Sequence, residues 1–196
     1  QLPLKEVMRS DGVLDALDRI QAEGLTEFVG FTALGDASAC RAVVQSGRVD
    51  TAQVYYNLIN PSAGCDIKGH WHSEDYTGLL NACQQSDVGV LGIRVYAAGI
   101  LASRVRHGRE IPVTRNSDYD SELKRADMVR EVLAEMDGSD AQKALRFVLD
   151  QDAIHGAVIG LAELSHLKEA IEATQMSPLS NSVTEALQAL WNRNYC

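Results

Sequence analysis

Thr51–Gly64, TAQVYYNLINPSAG, decides how this chain folds. The stretch opens as a short apolar strand and closes on Tyr-Tyr-Asn and a turn-rich loop. A strand whose C-terminal end becomes polar is what a parallel α/β fold presents at its ligand mouth. Whether this reading holds depends on the segments to either side.

Those segments alternate. Before it, residues 12–24 place Val13, Leu14, Leu17 and Ile20 at helical spacing and stop at Gly24. TEFVGFT, residues 26–32, reads as a strand. Residues 36–47 read as a helix capped by Asp36 or Ser38 and ended by Gly47. After it, residues 73–87 read as a helix with a weak capping-box start at Ser73, where Tyr76 stands in place of Glu. VGVLGIRV, residues 88–95, is an apolar run of strand length. Two helical segments follow a long loop, at about 118–136 and 139–150. GAVIGL, residues 156–161, is a fourth strand, and LSHLKEAIEAT, residues 164–174, a helix. A last helix follows Pro178, at about 181–193.

Strands alternating with helices imply parallel pairing through right-handed crossovers. This pattern alone leaves two architectures open, a doubly wound sheet and half of a (β/α)8 barrel. The G-x-G-x-x-G dinucleotide fingerprint is absent, which weighs against the first.

The 196 residues carry 18 Lys+Arg against 27 Asp+Glu, a formal charge of −9. That excess argues against a nucleic-acid partner, since phosphate backbones are held by surplus Lys and Arg. Arg104, Arg106, His107 and Arg109 form a local basic segment, read equally well as a solvated loop. Cys40, Cys65, Cys83 and Cys196 show no C-x-x-C spacing, and His70 and His72 near Cys65 do not complete a metal pattern. Scattered thiols point to a reducing cytoplasm. No apolar run approaches the roughly 18–20 residues of a membrane span, and no signal peptide is visible. A chain that starts at Gln1 is expected to be a fragment or a processed product.

Four blocks taken in order carry a resemblance: AEGLTEFVGFT (22–32), VDTAQVYYNLINPSAG (49–64), GVLGIRVYAAGIL (89–101) and ALRFVLDQDAIHGAVIGLAELSHLKEAIEA (144–173). Together they resemble the aldo-keto reductases, nearest to the bacterial aldose-dehydrogenase-like group. The resemblance covers only the C-terminal part of that family, about strands five to eight and the closing helix. It implies a single domain over residues 1–196 that is part of a (β/α)8 barrel. It also implies NADP(H), or alternatively NAD(H), as cofactor, and hydride exchange with an aldehyde, ketone or aldose in the complete protein. The family's catalytic Tyr, Lys, Asp and His all precede the matching region, so no residue here is assigned a catalytic role. This polypeptide alone is expected to be inactive. A non-catalytic half-barrel that binds a nucleotide or associates with itself is the alternative.

The resemblance also assigns cofactor contacts. Gln53 falls where the family holds the nicotinamide carboxamide, and an amide offers both a donor and an acceptor for that task. Tyr55 and Tyr56 are expected to pack, and Asn57 to shape the turn. Thr32 supplies a hydroxyl at the end of the preceding strand, where Ala33 replaces the family's Asn. Ile93 or Arg94 stands where many members stack an aromatic ring. For Arg94, stacking, a phosphate contact and a plain ion pair all remain open, since a charge buried on an apolar strand needs a partner. The segment YAAGIL, with Tyr96, Ala97, Ala98, Gly99 and Leu101, is expected to follow the pyrophosphate, the small residues and backbone N–H groups allowing close approach; a ligand-free tight turn is the plainer alternative. Gly160, Leu161, Ala162, Glu163 and His166 fall at the adenosine end. Glu163 there would repel a 2′-phosphate and accept from a ribose hydroxyl. Glu169 either accepts from the adenine amino group or is solvated.

Overall fold

The computed structural model describes residues 2–68, 71, 73–105 and 118–195. Four strands, β1 (Gly30–Ala33), β2 (Thr51–Tyr55), β3 (Gly89–Ile93) and β4 (Gly156–Ala157), pair in sequence order and all in parallel. Among the described residues, eight α-helices connect or flank them: α1 (Leu4–Met8), α2 (Val13–Ala22), α3 (Ala37–Gln45), α4 (Leu79–Gln85), α5 (Tyr119–Val132), α6 (Asp140–Leu149), α7 (Leu164–Thr174) and α8 (Asn181–Asn192).

The two faces of this sheet differ. Ala52 and Val54 of β2, with Val90 and Gly92 of β3, are buried against the helical layer. Gly92 is where a helix comes close: a Cβ there would stand 2.9 Å from Val148 of α6 and 3.2 Å from Ile154. The alternate positions, Thr32, Thr51, Gln53 and Leu91, lie on the open face, and Leu91 is 36% exposed. Strand residues with one covered and one open face follow directly from the two-residue period of side chains. β1 and β4 each keep one edge without a strand partner among the described residues.

The turn after β2 is the best-anchored irregular segment. Asn57 is fully buried. Its Oδ1 accepts from the Ile59 and Asn60 amides at 3.0 and 2.9 Å, and its Nδ2 donates to the Arg94 carbonyl at 2.9 Å. Helix α8 closes over the same turn, with Trp191 Nε1 and the Tyr195 hydroxyl donating to the Leu58 carbonyl at 3.0 and 3.2 Å. Phe147 of α6 stacks on Tyr56, ring centroids 5.0 Å apart, and lies 5.7 Å from the Trp191 ring. Tyr55 and Tyr56 are buried, as packing residues should be.

Several local readings change. Asp36, not Ser38, caps α3, accepting from the Ala39 amide. The helix expected from Ser73 begins at Leu79, after Gly78 in the left-handed region at φ 78°. Tertiary bonds hold residues 74–77 in another shape. Asn60 Nδ2 donates to the Glu74 carbonyl, Ser62 Oγ accepts from the Tyr76 amide, and Asp75 accepts from Thr77. The first strand is displaced to Gly30–Ala33 because Asp50 Oδ2 takes the Val29 amide at 2.7 Å, leaving residues 26–28 outside the ladder. The fourth strand shortens to Gly156–Ala157, its path continuing into the open, with Val158 47% exposed. Helix α1 had no counterpart in the sequence reading. Helix α6 begins on a full capping box between Ser139 and Gln142. Arg106, His107 and Arg109 of the basic segment, His70, His72 and Cys196 lie outside the described residues. No helix of the described residues is long and apolar enough to cross a membrane.

Candidate functional site

At the C-terminal ends of the strands lies an open cleft of about 880 Å³. Its floor is built from β1 and β2. Thr32 and Gln53 are register partners on these adjacent strands. Thr32 Oγ1 donates to Gln53 Oε1 at 3.1 Å. That bond orients the amide and leaves its NH2 group and one oxygen lone pair for a ligand. Ala33 is fully buried, so its side chain points away from the cleft and replaces no lining group.

One wall follows β3. Ile93, Arg94, Val95, Tyr96, Ala98, Gly99, Ala102 and Ser103 line it. Arg94 is not the buried strand charge its apolar neighbours suggested. It stands one residue beyond β3, exposed, with φ 61°. Its carbonyl is the acceptor of Asn57, so the buried turn after β2 pins the start of this wall. Farther on, buried Arg130 donates to the Ile100 carbonyl and pairs with Asp127 and Asp140. The wall segment is therefore tied down at both ends.

Between the ties, Ala97, Ala98 and Gly99 have φ of 46°, 57° and 98°. Consecutive left-handed residues make a tight reversal, and glycine alone of the three takes it without steric cost. The reversal consumes most of its own donors. The Ala97 amide bonds the Arg94 carbonyl, and the Gly99 and Leu101 amides bond the Tyr96 carbonyl. The row of outward N–H groups expected for the pyrophosphate is thus largely turned inward. Ala97 and Leu101 are 3% exposed and pack into the core rather than line the cleft.

The opposite wall continues from β4 into α7 through Val158, Ile159, Gly160, Leu161, Ala162, His166 and Glu169. A Cβ on Gly160 would meet nothing within 4 Å, so the backbone there borders open space. His166 Nδ1 accepts from the Ala162 amide at 3.4 Å. Glu163, expected at the cofactor, precedes α7 exposed and outside the cleft lining, its carboxylate accepting from Ser165 Oγ at 3.3 Å. Glu169 accepts from Ser139 Oγ of the α6 cap. Burial and the nearby Glu169 carboxylate both push the Tyr96 phenol above its ordinary value.

The structure thus gathers Thr32, Gln53, Arg94, Tyr96, Ala98, Gly99, Gly160, Leu161, Ala162, His166 and Glu169 around one cleft. Leu34, Val95, Ala102, Ser103, Ala141, Val158 and Ile159 line it as well and were not singled out from sequence. Most are small or aliphatic residues just past strand ends. That placement is the only signal that could have found them.

A four-stranded parallel sheet wound with helices, with a cleft at its C-terminal rim, defines an α/β protein of parallel-sheet type. The Aldo/keto reductase family matches residues 2–192, and the chain belongs to it. Among solved structures it is similar to aldo-keto reductase AKR11C1 from Bacillus halodurans in its holo form, with TM-score 0.68 and 18% identity over 92% of this chain and 56% of that one. It is also similar to an aldo-keto reductase from Klebsiella pneumoniae in complex with NADPH, with TM-score 0.60 and 22% identity over 98% of this chain and 55% of that one. The thermostable aldo-keto reductase Tm1743, in complex with the inhibitor epalrestat, gives TM-score 0.59 and 17% identity over 96% and 55%. No curated protein matches the chain. The chain spans little more than half the length of the solved structures it resembles.

Proposed function

We propose that the complete protein is an NAD(P)(H)-dependent oxidoreductase of aldehydes, ketones or aldoses, and that this chain carries most of its cofactor cleft. The observation that carries the reading is the Thr32–Gln53 pair, an oriented primary amide at the C-terminal rim of a parallel sheet. A nicotinamide carboxamide has the complementary donor and acceptor. The bound cofactor would supply or accept the hydride. The chain's own residues bind and orient it: Gln53 and Thr32 hold the carboxamide, the Tyr96–Gly99 reversal borders the middle, and residues 160–169 border the far nucleoside.

In this reading the chain supplies about strands five to eight of a (β/α)8 barrel within one domain. It contributes no catalytic acid or base. Its partner is a small carbonyl or sugar substrate in the cytoplasm, not nucleic acid or a membrane. The open inner face and the unpaired edges of β1 and β4 are where the remaining strands would close the barrel. The same features favour a second reading, in which two copies pair edge to edge as a non-catalytic module.

The test is a fluorescence titration of the purified chain with NADH and NADPH, beside Gln53→Ala. Loss of one oriented amide is expected to weaken binding about tenfold. Unchanged affinity would remove Gln53 from the site. Reduction of simple aldehydes by the 196-residue chain itself would overturn the assignment of catalysis to residues outside it. A stable dimer that binds neither nucleotide would favour the second reading.

A further inference from the structure

We infer that Arg94 makes this cleft select carbonyl substrates that carry a carboxylate or phosphate group. The inference rests on the proposed cofactor cleft and names the class of substrate its mouth would hold.

Arg94 differs from the other arginines in how it is used. Every other described arginine pairs with a carboxylate or donates to another protein oxygen; Arg48 pairs with Asp15 and Asp18, Arg146 with Asp150, and Arg125 donates to Ser73 Oγ. The Arg94 guanidinium alone among them makes no hydrogen bond or ion pair. It is exposed, and it lines the cleft that Gln53 and Thr32 floor.

The backbone that carries it is costly and fixed. At φ 61° Arg94 lies in the left-handed region, which a long side chain seldom takes and glycine takes freely. The Arg94 carbonyl accepts from Asn57 Nδ2 and from the Ala97 amide, each at 2.9 Å, and these bonds hold the conformation. Glycine would form the same turn at less cost. Neither the turn nor an ion pair therefore accounts for an arginine at this position. Residues held in such conformations concentrate at ligand sites.

Its place along the wall fits the substrate. Leu91 is the register partner of Gln53, so Arg94 stands three residues nearer the mouth, up to about 10 Å at the rise of a strand. With a nicotinamide carboxamide on Gln53, Arg94 is outward of that level, toward the side from which a substrate enters. The Tyr96–Gly99 reversal, which borders the middle of the cofactor, comes later along the same wall. A guanidinium presents a planar fork of N–H donors that meets a carboxylate or phosphate in two parallel charge-assisted bonds. A neutral ester offers no charge to match.

The test titrates the 196-residue chain, with NADPH or NADH present, with 4-formylbenzoate and with its methyl ester, read by saturation-transfer NMR. The two probes share the aldehyde and the ring and differ in charge. The carboxylate is expected to bind about three- to tenfold more tightly at low salt, with the ratio shrinking as salt screens the pair. Arg94→Gln and Arg94→Gly should each bring the ratio to about one. Arg94→Gly should also keep or raise the urea midpoint, since glycine takes that φ without steric cost. No preference for the carboxylate, binding of neither probe, or a preference that survives both substitutions would overturn the inference while the cofactor reading stands on nucleotide binding. A lowered midpoint in Arg94→Gly would assign the side chain to stability and overturn it too. So would both substitutions weakening the nucleotides with the probe ratio unchanged, which would give Arg94 to the cofactor. Binding of neither nucleotide would overturn the cofactor reading itself, and this inference with it.

Discussion

Replacing Asn57 by Ala tests whether the cleft depends on the buried turn behind it. The side chain is fully buried and makes three hydrogen bonds, to the Ile59 amide, the Asn60 amide and the Arg94 carbonyl. The Asn60 amide keeps a second acceptor, the Asn57 carbonyl at 3.1 Å. The Arg94 carbonyl likewise keeps the Ala97 amide at 2.9 Å. Truncation therefore strands one buried donor fully, the Ile59 amide, and one donor and one carbonyl in part. At about 1–2 kcal/mol for the fully unsatisfied group, and less for the two that keep a partner, the loss should be about 1–3 kcal/mol. Urea denaturation followed by tryptophan fluorescence reads this directly, since Trp191 donates to Leu58 within the same turn. Asn57→Asp is the informative companion. It keeps the acceptor of the two amides but gives up the donor to Arg94, and it places a charge in a buried site. It should be at least as destabilising at neutral pH and should recover part of its stability in mild acid, as the carboxyl is protonated. Both variants should also weaken dinucleotide binding, because the Arg94 carbonyl begins the cleft wall. A stability loss below about 0.5 kcal/mol for Asn57→Ala would refute the reasoning, since surface substitutions do no more than that.

Other outcomes follow from contacts elsewhere. Gly30→Ala should cost more stability than Gly92→Ala in the same urea assay: a Cβ at position 30 meets the Thr51 carbonyl oxygen at 2.6 Å, whereas one at 92 meets the Val148 side chain at 2.9 Å. The second is ordinary overpacking, about 1–3 kcal/mol, and the first can be relieved only by parting β1 from β2. Acid should destabilise the fold through its helix caps. The Ser38 hydroxyl and Ala39 amide hold the Asp36 carboxyl below its ordinary value, and the Ser121 hydroxyl and amide do the same for Asp118. A depressed folded-state value contributes stability that is present above the ordinary 3.8 and is lost as the pH falls through the lower folded value. Asp36→Asn with Asp118→Asn should flatten that acid limb in a pH series of urea midpoints. An unchanged limb would show that other carboxylates dominate it.

The alternation of apolar runs with amphipathic segments was enough to place every strand and nearly every helix within a few residues. Errors arose where local pattern competed with distant bonds. The helix drawn from Ser73 is prevented over residues 74–77 by Asn60 and Ser62, which are close in space but more than ten residues away in the chain. The strand drawn from Thr26 is cut short by Asp50. Arg94 reads as a buried strand residue from its apolar neighbours, yet the chain turns left-handed there and leaves the side chain exposed.

The candidate site divides along the same line. Gln53 and Thr32 were assigned through the family resemblance, and the two-residue period of side chains along a strand accounts for both lying on the open face. The inward packing of Ala97 and Leu101 was not legible, because a reversal through three left-handed residues has no fixed period from which to tell inward from outward. By itself the sequence determined the parallel α/β order, the polar strand ends and the acidic balance, all of which depend on spacing and composition. Only the tertiary structure decided which loop residues face the cleft and which amides stay free. Those choices depend on bonds such as Asn57 to Arg94 and Arg130 to Ile100, which join residues about 30–40 positions apart and exist only once the chain has folded.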